Sequence, residues 1–202
     1  MEPQATRPRR IPVNIPDLVD ALDEASSWDA SMYLDLDTGA VVAISAEINR
    51  ELEALSEELA SDPTEGEEYR LAFTGALEQR SLPAWVREQL LQADQVERGL
   101  GTRFIELPVA DSSQSYEYMQ DFIGTVRSTR LQERLWDVIR GRGAFRRFKD
   151  ALAEHPTEQE RWFAFKASRT RERAIEWLTA QGIQPTENDA MGADASTQAP
   201  TR

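Results

Sequence analysis

The chain of 202 residues contains no cysteine. Disulfides, thiolate chemistry and cysteine-ligated zinc are therefore excluded. There is one histidine, His155, and it stands directly before Pro156. A residue before proline is pushed out of the α region, so His155 is expected in a turn between helices, on the surface. A Ser–His–Asp site would need His155 beside an ordered serine, and there is no Gly-x-Ser-x-Gly to supply one. Only two lysines occur, Lys149 and Lys166, both in helical sequence. No apolar run approaches the ~18 residues of a membrane span. "MEPQATRPRR" carries arginines with no apolar stretch behind them, which is not the pattern of a secretion signal. A cytoplasmic protein with no membrane association is the expectation.

Acidic residues are abundant. The formal charge is −13, unevenly spread. Residues 11–126 hold 6 Lys and Arg against 24 Asp and Glu, a net of −18. Residues 127–173 hold 13 against 7, a net of +6. Such asymmetry fits a partner of opposite sign, or two halves of one protein attracting each other. Apolar residues make up 40%, with five tryptophans and seven phenylalanines, enough for a sizeable core.

Residues 1–10 read as a disordered arm and 185–202 as a disordered tail. Between them, 11–184 reads as one α+β domain, acidic over 11–126 and basic and helical over 127–184. "SMYLDLDTGAVVAIS" alternates Met32, Leu34 and Leu36 with Tyr33, Asp35 and Asp37, and "DTG" supplies a turn. A β-hairpin over about 31–45 follows, one face on a core and the face of Tyr33, Asp35 and Asp37 toward solvent. "TRFIELP" predicts a third strand over about 102–107, completing a small antiparallel sheet. The remaining segments read as helices: one opening near Pro16, one carrying Ile48, Leu52, Leu55 and Leu59, one over about Glu67 to Gln79, and one from Pro83 to Gly99. The C-terminal half reads as all-helical. Its last helix is expected to start on a Thr157…Glu160 capping box and to break near Ser168.

Two chemistries remain. Asp35 and Asp37 share a strand face and, with Glu106 or Asp121, could hold magnesium for a phosphodiester hydrolase. The adjoining acidic-x-Lys element such a nuclease wants is absent. The other is "GRGAFRRFKD", residues 141–150. It lacks the glycine spacing of a phosphate loop and follows a helix rather than a strand. Gly141 suits the close of one helix and Gly143 the start of the next. Phe145, Phe148 and Leu152 would then face the core, with Arg146, Arg147 and Asp150 outward. Arg142 and Arg146 would lie near a helix start whose free N–H groups favour an anion. Alternatively the arginines pair with the acidic half of the chain. "ERWFAFKASRTRER" interleaves aromatics with positive charge, as single-stranded nucleic-acid binders do, but its aromatics cannot share one face and its net charge is a weak footprint.

"YLDLDTGAVV", "SYEYMQDFI", "GRGAFRRFKD" and "RWFAFK…AIEWL", in this order, resemble a bacterial uncharacterised protein family. That family carries a Tyr-Leu-Asp-x-x-Thr-Gly hairpin, a Tyr-x-x-Met-x-Asp-Phe-Ile helix and a Gly-Lys-Gly-Ala-Phe-Arg-Arg-Phe-Lys-Asp joint. The resemblance covers about Ile11 to Ile183, with Arg142 in place of the usual lysine. It implies a soluble bacterial α+β protein and brings no catalytic residue, cofactor or substrate.

The sequence is thus read as a non-enzymatic binding or regulatory module with no cofactor. Arg142, Arg146, Arg147 and Lys149 would face an anion or a partner protein, and Tyr33, Asp35, Tyr116 and Asp121 would share the cleft. The alternatives are the metal-dependent hydrolase and an acidic protein that docks a basic partner.

Overall fold

A computed structural model describes residues 8–24, 29–59, 66–109 and 112–186 of the chain. The elements, in order, are β1 (Arg9–Ile11), α1 (Ile15–Glu24), β2 (Ala30–Asp35), β3 (Val41–Ser45), α2 (Ala46–Leu59), α3 (Glu67–Gln79), α4 (Ala84–Gly99), β4 (Phe104–Glu106), α5 (Ser112–Thr125), α6 (Thr129–Val138), α7 (Ala144–Ala153), α8 (Pro156–Ala180) and β5 (Ile183–Pro185). Short polar residues start several helices. Asn14 accepts from the Asp17 amide, Ser45 from the Ile48 amide and Ser128 from the Leu131 amide, each satisfying a first-turn donor that the helix cannot.

The expected hairpin and third strand form a three-stranded antiparallel sheet in the order β3-β2-β4. Tyr33 stands opposite Val42 on one side and Glu106 on the other. The sheet is covered on both faces, where the alternation predicts one. Met32 and Leu34 join α1 and the C-terminal part of α8 in one core. Tyr33, Val42, Ile44 and Phe104 join α2, α3 and α4 in a second. The amphipathic stripe of Ile48, Leu52 and Leu55 is what closes the face expected to meet water. A third core, of α5, α6, α7 and the N-terminal part of α8, gathers Phe122, Phe148 and Trp162.

The helix α8 runs unbroken for 25 residues, about 37 Å, past the break expected at Ser168. It is anchored in two cores at once, by Trp162 at one end and Ala174 and Leu178 at the other. Ser168 is exposed and its hydroxyl turns along the helix to Glu172. The Thr157…Glu160 capping box is not formed. Pro156 takes the first helical position, so the extended residue before it, His155 (φ −132°, ψ 76°), becomes the N-cap and Thr157 already lies inside the helix.

One pairing is illegible in the periodicity. β1 and β5 pair in parallel, Arg9 opposite Ile183 and Ile11 opposite Pro185. Three-residue strands show too little alternation to be read. The pair reaches two residues into the expected arm and one into the expected tail. Residues 1–7 and 187–202 of those segments lie outside the described residues.

Candidate functional site

The joint of α6 and α7 is built as its glycines suggest. Gly141 (φ 79°) and Gly143 (φ 76°) are both left-handed, so the chain reverses within three residues. Arg147 lies on α7, one turn past the joint. Its guanidinium folds back over the turn instead of pointing outward: Nε donates to the Val138 carbonyl at 2.9 Å, Nη2 to Arg140 at 2.7 Å, and Nη1 to Arg142. The last carbonyls of a helix lack intrahelical partners and carry partial negative charge. One arginine fork satisfies the Val138 carbonyl, the last of α6, and two carbonyls of the turn that follows, so Arg147 holds the loop in shape. Gly143→Ala is expected to cost about 1–2 kcal/mol, because an alanine there is left-handed and its Cβ would stand 3.3 Å from Arg147 Nη1. Chemical denaturation checks this, and Gly124→Ala is the control, since its Cβ would meet nothing within 4 Å and its φ is not positive.

Beside the joint lies an open cleft of about 530 Å³. One wall is a face of α5. Ser113, Tyr116, Glu117 and Gln120 fall at i, i+3, i+4 and i+7, adjacent to the face that puts Met119, Phe122 and Ile123 in the core. The other wall is the joint itself: backbone of Gly141 and Gly143 over Ile139 and Ala144, with Phe145 at the edge. The helical spacing predicts Phe145 in the core, yet it is 41% exposed. The buried stripe of α7 is Ala144, Phe148, Ala151 and Leu152, and Phe145 falls at its margin, where it rims the cleft.

The other expected site residues divide. Tyr116 joins the joint in one cleft. Arg142, between the two glycines, is exposed, and no acidic side chain pairs with it among the described residues. Arg146 is 90% exposed in its side chain, with only Asp150 nearby at 3.9 Å. Lys149 is exposed on α7, also without an acidic partner among the described residues. Tyr33 lies elsewhere, lining a separate cavity against α2 and α4. Asp121 pairs with Arg169 of α8 at 2.9 Å.

Asp35 is buried and fully engaged. Arg103 grips it bidentately, Nε to Oδ1 at 3.1 Å and Nη2 to Oδ2 at 2.8 Å, and the Asp37 amide donates to Oδ1 at 2.9 Å. The Arg103 hydrogen bonds, outweighing burial, hold its carboxyl down to about 2. Asp37 in turn binds Arg9 at 2.9 Å. The carboxylates expected to hold magnesium therefore do not converge. Asp35 and Asp37 are committed to arginines, Asp121 faces α8, and no three acidic or histidine side chains among the described residues are placed to hold a metal ion. A pair of strand aspartates reads alike in sequence whether it binds a cation or an arginine.

The halves of opposite charge do meet, through α8 rather than through the joint. Lys166 binds Asp23 at 2.8 Å and Arg169 binds Asp121. Arg173 donates to the carbonyls of Pro108 and Val109.

A family model described as "Uncharacterised protein family (UPF0158)" matches residues 88–199, a stretch that includes every wall of the joint cleft. The UPF0158 protein PA5073 of Pseudomonas aeruginosa is 29% identical over 178 residues, 88% of each chain. UPF0158 proteins of Chlamydia trachomatis and Chlamydia muridarum are each 29% identical over 83 residues, 41% of this chain and 25% of theirs. No solved structure matches.

Proposed function

The chain belongs to the uncharacterised protein family UPF0158, and for it we propose a non-enzymatic binding module of the bacterial cytoplasm whose site is the cleft between α5 and the joint of α6 and α7. One observation carries this reading: a single cleft joins an exposed aromatic ring, a preformed glycine turn and the uncapped start of a helix. Its walls are mainly Tyr116, Ile139, Ala144 and Phe145, which suit an apolar group. Arg142 and Arg146 are exposed and stand outside the cleft's lining, at the turn and in the first turn of α7, where they add positive charge near the free N–H groups of that helix. The partner that fits is one presenting an apolar group beside a carboxylate or phosphate. Because Arg147 fixes the turn beforehand, binding would not have to order it.

The test is calorimetric titration with an acidic amphipathic peptide, a mononucleotide and a short RNA. Replacing Arg142 and Arg146 together with alanine is expected to weaken binding of the preferred anion about tenfold or more, two charge-assisted contacts being lost. Phe145→Ala is expected to weaken it as well, without changing the slope against salt. Binding to none of the three probes, or binding that both variants leave intact, would remove the site from this cleft.

A further inference from the structure

The cavity that Tyr33 lines is a second site of different chemistry. It holds about 230 Å³ between the sheet, α2 and α4. Its floor is formed by Tyr33, Leu52 and Val96, and its rim carries Glu53 from α2, Glu97 from α4 and the half-exposed Leu100. Some carboxylates of this acidic layer are matched by arginines, and others, such as Glu47, Glu57 and Glu68, stand singly outside this cavity. Glu51 and Glu58 share Arg80 at 2.7 and 2.6 Å, and Asp94 takes Arg98 at 2.7 Å. Glu53 and Glu97 also have no cation among the described residues, and they are brought together from α2 and α4 at one cavity of mixed polarity, which Asn49 lines as well.

We infer that this cavity takes the lysine side chain of a basic segment on a partner protein. A lysine buries an aliphatic stem and keeps its ammonium at the polar edge. Here the stem would lie on Leu52, Val96 and Leu100, and the ammonium between Glu53 and Glu97. A compact ammonium suits two separate carboxylates better than a guanidinium, whose planar fork matches a single one. A free polyamine fits poorly, because Glu53 and Glu97 together match one ammonium and the cavity offers no further carboxylate to the others. The net −18 of residues 11–126 would steer a basic segment to this side of the molecule. This inference is independent of the joint cleft.

The experiment is an NMR titration of the full chain with an end-capped Gly-Leu-Lys-Leu-Gly peptide, with its Nε-acetyl-lysine counterpart and with spermidine. The lysine peptide is expected to shift the Tyr33, Leu52 and Val96 amides saturably, and acetylation to abolish this. The double variant Glu53→Gln, Glu97→Gln is expected to bind the peptide about tenfold more weakly while unfolding at the same temperature, since both side chains are exposed. Four results would overturn the assignment: no saturable shifts, undiminished affinity in the double variant, shifts spread over Glu47, Glu57 and Glu68, or spermidine binding the cavity more tightly than the peptide.

Discussion

Trp162→Ala is expected to lower the unfolding free energy by about 4 kcal/mol. The indole is 7% exposed and sits where three elements meet. Its ring centroid lies 4.9 Å from that of Phe148 on α7 and 5.3 Å from that of Phe122 on α5, both edge-on. Phe122 and Phe148 also meet edge-on, at 6.3 Å, so the three rings form a closed triangle. Removing one ring loses its buried area and two edge-to-face contacts, and leaves a void that rings on separate helices cannot collapse to fill. Urea unfolding followed by circular dichroism measures the loss. Phe163→Ala is the internal control. The next residue along α8 is 57% exposed, and its loss is expected to stay within about 0.5 kcal/mol. Equal effects at 162 and 163 would mean that α8 is rotated about its axis, with neither ring singled out for the core. Phe148→Ala combined with Trp162→Ala is expected to cost less than the sum of the two, because each single change already removes the shared contact.

That triangle also explains how much of the fold can be read from the sequence. Trp162, Phe163 and Phe165 are close neighbours on one helix, and periodicity alone establishes that they cannot share a face. It leaves open which of them is buried. The hairpin, the third strand and the helix spans follow from local alternation and stop signals, and the structure agrees with them closely. The second covered face of the sheet and the β1–β5 pair depend on contacts between residues far apart in the chain, which no local pattern encodes. The joint is half legible. Gly141 and Gly143 announce a turn between helices, and the structure has it. The direction of Arg147 is not legible, because an arginine at the margin of a helical stripe reads as solvent-facing until the last carbonyl of the preceding helix and those of the turn come within its reach. The α5 wall does carry a local signal beyond Tyr116: Ser113, Tyr116, Glu117 and Gln120 share one helical face.

Asp35→Ala is expected to cost about 3 kcal/mol at pH 7, and the loss should depend on pH. The carboxylate is 4% exposed, holds the hairpin turn through the Asp37 amide and ties β2 to Arg103. A buried charge-assisted network of this kind contributes more than a surface ion pair, and removing its acceptor leaves the Asp37 amide without a partner. The pH window follows from the depressed carboxyl. Its folded pKa, about 2, lies below the ordinary 3.8. Its contribution is therefore complete above pH 4, and is lost as pH falls from about 4 through 2. Asp35→Asn keeps an acceptor for the Asp37 amide but cannot titrate. The stability difference between the unaltered chain and Asp35→Asn should be constant from pH 7 to 5 and shrink below 4. Arg103→Ala should act in the same window by another route. Without the guanidinium the carboxyl is held down only by the Asp37 amide and Thr38 against burial, so the deficit is largest at neutral pH and shrinks as the carboxyl takes up a proton. Asp94 supplies the opposite case in the same fold. Burial there outweighs the pull of Arg98 and of the Tyr69 hydroxyl and raises the carboxyl above its ordinary value, so folding disfavours its charged form where it favours that of Asp35. Asp94→Asn should accordingly cost less at pH 7 than Asp35→Asn, although the two carboxylates are equally buried. If both variants lost the same stability with the same dependence on pH, the bidentate grip of Arg103 would not be what distinguishes Asp35.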